Sequence, residues 1–180
     1  IIYHGHIAPE RGIDDLVASL PMVISEIPDL YLTLLGSFRT SKFERQIKRF
    51  ISKNNLKNHI HIKPQIAHEE IWAVLKNHAV GIIPFKESPL TMHNTPTKLF
   101  EMMASGCSIV ASDLPPIRNF ISDTIHWVKP GDKLSIAKGI INAFHSLKQF
   151  SWIEENKNLI REKYNWESKI NDFLNLYYIR

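Results

Sequence analysis

Lys98 and Glu101 are two charged residues in a stretch that otherwise reads as structural. They lie in H-N-T-P-T-K-L-F-E-M-M-A-S-G, positions 93–106, at a spacing that puts them on roughly one face of a helix. The pattern predicts that helix from about Pro96. Thr95 suits the N-cap, and Pro96 suits the first helical position, where its missing N–H has no intrahelical partner to lose. Leu99, Phe100, Met102, Met103 and Ala104 supply an apolar face, and Gly106 falls where a left-handed C-cap belongs. A lysine in the first turn opposes the positive end of the helix dipole unless an anion is close. Unpaired N–H groups, a lysine and a carboxylate together suit a phosphate bearing a hydroxylated group. A solvated surface pair fits the same spacing equally well.

The elements that must hold these residues follow from the hydrophobic pattern. Cys107 to Ala111 is an apolar run of strand length, suited to a parallel strand covered on both faces. Ile1 to Gly5 reads as a buried strand, with Gly5 able to turn tightly or to let the backbone approach a ligand. A loop from His6 to Gly12 and a helix from Ile13 to Ile27 come next. The unit then repeats: strand Leu30 to Gly36 and basic helix Lys42 to Asn54, strand His59 to Lys63 and helix His68 to Asn77, strand Ala79 to Ile83. After the central helix and strand, Pro115 and Pro116 open a short helix to about Ile121, Thr124 to Val128 forms a sixth strand, and Lys133 to Lys148 another helix. Strands alternating with helices predict an α/β fold: a Rossmann-like, doubly wound, parallel six-stranded sheet with helices on both faces over 1–150. Residues 151–180 form a C-terminal helical extension broken near Tyr164-Asn165-Trp166. With strand order 3-2-1-4-5-6, a ligand crevice opens between the first and fourth strands. It gathers the loops Gly5 to Gly12, Pro64 to His68 (with Ile66), and Pro84 to Lys98 (with Asn94, Thr95, Pro96 and Thr97).

At 180 residues and 44% hydrophobic content, the chain can bury one proper core but not two of ordinary size. A net charge of +4 is compatible with an anionic ligand, an anionic membrane surface or nucleic acid. The basic helix argues little for nucleic acid, because its aromatic residues sit at core spacing and its charges recur as a solvated face; no nucleic-acid partner is expected. The lone cysteine, Cys107, lies in an apolar strand, which excludes a disulfide framework and suggests a reducing, cytoplasmic compartment. No run approaches the length of a spanning helix, and Ile1 to His6 does not resemble a signal peptide. Opening without methionine on a core strand, the chain is expected to be a piece of something longer. Nine histidines form neither H-E-x-x-H nor H-x-x-E-H, so no metal site is expected; hydrolase, P-loop and dinucleotide motifs are absent too.

The run T-P-T-K-L-F-E-M-M-A-S-G-C-S-I-V-A-S-D-L-P resembles, without a gap, the donor-site signature of family-4 glycosyltransferases of the GT-B fold, P-x-K-L-F-E-Y-M-A-x-G-x-P-V-V-A-S-D. The resemblance extends over nearly the whole chain. It implies that Glu101 is the second glutamate of the family's E-x7-E motif, associated with the ribose, and that position 93, His93 here, stands where the first glutamate faces the donor sugar. The first loop, Y-H-G-H-I-A-P-E-R-G, is similar to a family variant, Y-x-G-x-x-x-x-x-R-G. That likeness puts Arg11 and His6 at the two basic positions that grip the donor pyrophosphate, where a guanidinium suits bidentate phosphate binding. The element Y-N-W-E at 164–167 is similar to one that introduces the family's final helix, which crosses to the N-terminal domain; Phe173, Leu174 and Tyr177 would then be exposed apolar surface.

These likenesses imply the donor-binding half of a retaining glycosyltransferase, hexosyl- or N-acetylhexosaminyl-type. It would move a sugar from a nucleotide diphosphate, commonly UDP, to a lipid-linked or surface-polysaccharide acceptor held by an N-terminal domain. Arg11, Lys98, Glu101 and His93 would carry the chemistry, with Gly5, His6, Ile66, Asn94, Thr95, Pro96 and Thr97 at the donor. No cofactor or metal is expected. The full-length enzyme would be cytoplasmic, with peripheral association at the inner face of the membrane. A nucleotide-sugar epimerase of the same architecture, and a degenerate binding domain without catalysis, are the alternatives.

Overall fold

The structure, a computed structural model, describes residues 1–121, 123–148 and 151–178. The side chains at 148, 171, 172 and 176–178 lie outside the description, and with them the expectation for Tyr177. Six parallel strands, β1 (Ile2–His4), β2 (Leu32–Leu35), β3 (Ile60–Lys63), β4 (Val80–Ile83), β5 (Ser108–Ser112) and β6 (His126–Val128), form one sheet in the order β3-β2-β1-β4-β5-β6. Strands β1, β2 and β4 are buried along their whole length, as a sheet covered on both faces demands, whereas the edge strand β3 carries exposed positions. Strand order reverses between β1 and β4, so their carboxyl ends diverge and leave a crevice there.

The strands are joined through α1 (Ile13–Glu26), α2 (Ser41–Lys53), α3 (His68–Leu75), α4 (Pro89–Met92), α5 (Lys98–Ser105), α6 (Pro115–Arg118) and α7 (Lys133–His145). Two further helices follow, α8 (Ser151–Glu162) and α9 (Trp166–Tyr178). Helix α1 packs on α7 and α2, while α5 packs on α8 and α3. Helix α7 starts where Asp132 accepts from the N–H groups of Leu134 and Ser135, at 2.9 and 3.1 Å.

Local details differ from the sequence reading. Helix α5 begins at Lys98 rather than Pro96, and Thr97, not Thr95, stands at its N-cap, with helical backbone angles and no side-chain cap. The Pro96 carbonyl instead accepts from Leu99 N–H at 3.0 Å, so the chain enters the helix through a tight turn. Gly106 does adopt the left-handed cap, φ 82°. Strand β5 starts at Ser108, whose N–H bonds to Ala79. Cys107 is buried beneath it, its thiol pushed up to about 11 by burial, and is inert. Helix α4 interrupts what reads as loop: Ser88 caps it, Pro89 opens it, and the Thr91 hydroxyl donates to the Lys86 carbonyl at 2.5 Å.

Candidate functional site

Lys98 does not pair with Glu101 on a helix surface. From the first turn of α5 its side chain runs back under β1, where the ammonium donates to the His4 carbonyl and sits 4.0 Å from the centroid of the Tyr3 ring. Gly5 makes the room: a Cβ there would lie 3.0 Å from Lys98 Nζ, and its φ of +104° suits glycine. Arg11 comes from the opposite wall. A short 3₁₀ turn, Pro9–Arg11, ends at Gly12 in left-handed conformation, where a Cβ would overlap the Pro84 carbonyl; Lys86 N–H then bonds to Glu10 at 3.1 Å. This ties the loop after β1 to the chain leaving β4 and lays the Arg11 guanidinium 4.6 Å over the ring of Phe85. Lys98 Nζ is 5.4 Å from the same ring.

Two cations thus share one aromatic ring, and among the described residues neither has a carboxylate at ion-pair distance. Burial, and secondly the Arg11 charge, push the Lys98 ammonium down to about 7. Glu101, one turn along α5, faces two histidines: His4 Nε2 lies 3.3 Å from one carboxylate oxygen, His68 Nε2 3.8 Å from the other. His4 is buried, and desolvation, followed by the charges of Lys98 and His68, pushes it down to about 4, so at neutral pH it is uncharged. Its Nε2 makes no hydrogen bond to Glu101 that meets the usual geometry and has no other hydrogen-bond partner among the described residues.

Arg11, Lys98, Phe85, His4 and His68 border two adjoining cavities at the carboxyl ends of β1 and β4, while Glu101 and Tyr3 line neither. One, about 250 Å³, is lined by Gly5, His6, Arg11, Phe85, the loop Asn94–Thr97, and Lys98. Its wall includes the N-terminus of α5, the positive end of the helix dipole, where the N–H groups of Leu99 and Phe100 already bond to the Pro96 and Thr97 carbonyls. The other, about 190 Å³, shares Gly5 and His6 and is closed by His4, Gly36, Gln65, Ile66 and His68 among others. The structure therefore brings together Arg11, Lys98, Gly5, His6, Asn94, Thr95, Pro96 and Thr97, with Ile66 in the neighbouring cavity. His93 is exposed at the end of α4 and lines neither. A hollow of about 400 Å³ near α6 and α8 is larger, but its lining mixes Arg118 and Lys163 with Asp123 and Glu155, and its buried Asn156 is satisfied by Thr124.

Sequence reasoning missed His4, His68, Tyr3 and Phe85. His4 and Tyr3 had one signal, their place at the carboxyl end of the strand that precedes Gly5. The arrangement is that of a cationic anion site at a helix N-terminus, joined to a half-apolar cavity whose His4 and His68 face the Glu101 carboxylate. It can hold a phosphate chain with a hydroxylated group on one side.

No curated protein sequence matches the chain. Among solved structures, sucrose-phosphate synthase from Thermosynechococcus elongatus superposes with a TM-score of 0.83 at 23% identity, over 98% of this chain and 44% of its own. Anabaena HepE in complex with UDP gives 0.83 at 13% identity, over 97% of this chain and 48% of its own. The C-terminal domain of a glycosyl transferase group 1 family protein, LpcC from Francisella tularensis, gives 0.80 at 18% identity, over 92% of this chain and 85% of that domain. This chain spans less than half the length of the first two, and the likeness to all three is one of fold. The family model for glycosyl transferases group 1 matches residues 1–166, and the chain belongs to that family.

Proposed function

We propose that the chain is the donor-binding part of a retaining, family-4 glycosyltransferase of the GT-B fold, and that it binds a nucleotide diphosphate sugar, UDP-linked, for transfer to a lipid-linked or surface-polysaccharide acceptor. The observation that carries this reading is the convergence of Arg11, Lys98 and the α5 N-terminus, without carboxylates to neutralise the two cations, on one cavity beside Glu101. Solved HepE and TarM structures that share the fold hold UDP, and one of HepE holds UDP-glucose.

On this reading the diphosphate sits between Arg11 and Lys98. Charge develops on it as the bond from the sugar carbon to the phosphate oxygen breaks, and the two cations with the α5 amides stabilise that charge. Glu101 accepts from the ribose hydroxyls. His93, though exposed, is read as approaching the sugar, since its ring can accept through one nitrogen and donate through the other. No metal or cofactor is called for. Residues 1–150 would form the nucleotide-sugar domain. In the segment 151–180, α9, which carries exposed Trp166, Phe173 and Leu174, would cross to an N-terminal acceptor domain. The whole enzyme would be a hexosyl- or N-acetylhexosaminyl-type transferase of the cytoplasm, resting on the inner face of the membrane. Calorimetry of the chain with UDP, GDP and ADP tests the proposal: measurable binding of UDP, with no sugar transfer by residues 1–180 alone, is expected. Failure of all three nucleotides to bind would overturn the donor-site reading, and transfer by this chain alone would overturn the two-domain reading.

A further inference from the structure

Helix α2 turns Phe43, Ile47 and Ile51 to the core. Its opposite side carries Lys42, Arg45, Arg49 and Lys53, all exposed. Steps of three, four and four residues follow the helical repeat, so the cations form one row about 16 Å long. No carboxylate meets the row among the described residues. The carboxylate on the same helix is already engaged, Glu44 with Lys48 at 2.6 Å. The row equals the chain's whole net formal charge of +4. Like charges three and four residues apart weaken a helix, a cost that an anionic counterpart removes.

We propose that this row docks on the surface of an anionic phospholipid bilayer, and so names the face through which the enzyme would rest on a membrane. The row is a convex ridge, able to meet a plane along its whole length. It lacks the groove and stacking rings that single-stranded nucleic acid needs: Phe43 is buried, and Phe50 is half-buried beside the core. Without a large apolar side chain on the outer face, docking is electrostatic, reversible and salt-sensitive rather than inserted. Because α2 leaves the carboxyl end of β2, the Lys42 end of the row lies at the end of the sheet that holds the cavities. The row shares no residue with those cavities, so nucleotide binding stays an independent readout.

The test is sedimentation of the chain with sucrose-loaded vesicles of phosphatidylcholine containing about one-third phosphatidylglycerol, at about 0.1 M salt. The parent is expected to pellet with these vesicles, to stay in solution with pure phosphatidylcholine, and to be released as salt rises. Each surface cation contributes roughly fivefold in partitioning, so the combined variant Lys42→Gln, Arg45→Gln, Arg49→Gln, Lys53→Gln should lose roughly two to three powers of ten. Its melting temperature and UDP affinity should stay at parental values. If that variant fails to fold, the pairs Lys42→Gln with Arg45→Gln and Arg49→Gln with Lys53→Gln serve instead, each expected to lose at least about tenfold. Changing Lys133 and Lys138 of α7 to glutamine should leave partitioning unaltered. Equal partitioning onto neutral vesicles, full binding by the row variants, or preference for duplex DNA over the anionic vesicles would each overturn the proposal.

Discussion

At neutral pH Lys98 is near half-protonation, because burial and the Arg11 charge push its ammonium down to about 7. A diphosphate beside it would restore the ordinary value of about 10.4. The sign follows directly: above about pH 7 the free protein has given up a proton that the complex keeps, so raising the pH penalises binding. UDP binding should take up roughly half a proton at about pH 7 and nearly a whole one at about pH 8.5. Between about pH 7 and about pH 9 the affinity should fall roughly fiftyfold, or about 2.3 kcal/mol. His4 stays neutral through this window, since its proton leaves near 4. The terminal phosphate of UDP titrates near 6 and is already ionised there. Calorimetry in two buffers of different ionisation enthalpy measures the uptake, and Lys98→Met should abolish both the uptake and the pH dependence. Flat affinity above pH 7 with no proton uptake in the parent chain would refute the reasoning.

The same shift acts on stability. The unfolded chain keeps the Lys98 proton up to about 10.4, whereas the folded one releases it above about 7, so the unfolded state binds more protons between these values. Stability attributable to Lys98 therefore rises with pH through that window, and at neutral pH the lysine destabilises the fold. Lys98→Met should raise the melting temperature, by about 2–4 °C per kcal/mol recovered, while nearly eliminating UDP binding.

Arg11→Ala should weaken UDP at least about tenfold yet leave uridine nearly unchanged, whereas Glu101→Gln should weaken both, as titration of each variant with nucleoside and diphosphate will show. In the full-length enzyme His93→Ala should lower the transfer rate without changing affinity for the bare diphosphate, and transfer at parental rates across about pH 6 to 8 would remove His93 from the site. Gly12→Ala should cost about 1–3 kcal/mol by denaturant melting, because it forces a side chain into left-handed backbone against the Pro84 carbonyl.

The six parallel strands were legible because buried parallel strands must be apolar on both faces, and runs such as Val80–Ile83 and 109–111 are; their order is an expectation of the doubly wound pattern and is the one observed. Lys98 and Glu101 were legible as residues out of keeping with a structural helix, but their partners were not. Spacing on a helix reports neighbours one turn away, whereas the Lys98 ammonium bonds to a carbonyl 94 positions earlier. Glu101 meets one histidine from β1 and another from the start of α3. Arg11 had no local signature at all; only likeness to a known loop singled it out. What fixes it is the ring of Phe85 on a different strand's exit, a contact no periodicity contains.

That contact bears on how the site works. Arg11 and Lys98 could have been stabilised by carboxylates, as Lys86 is by Asp14 and Asp15 at 2.7 and 3.0 Å on the neighbouring turn. Aromatic faces hold them instead, Tyr3 and Phe85, which attract a cation without cancelling its charge. A carboxylate at ion-pair distance would have to be displaced by an entering phosphate; a ring would not. Glu101 lies at ion-pair distance from neither cation and instead faces His4, whose neutral imidazole adds no charge that would draw the phosphate from its place. Cations are thus positioned but left unneutralised, at a cost in stability that the lowered Lys98 proton affinity records, and an anionic ligand is the partner that recovers it.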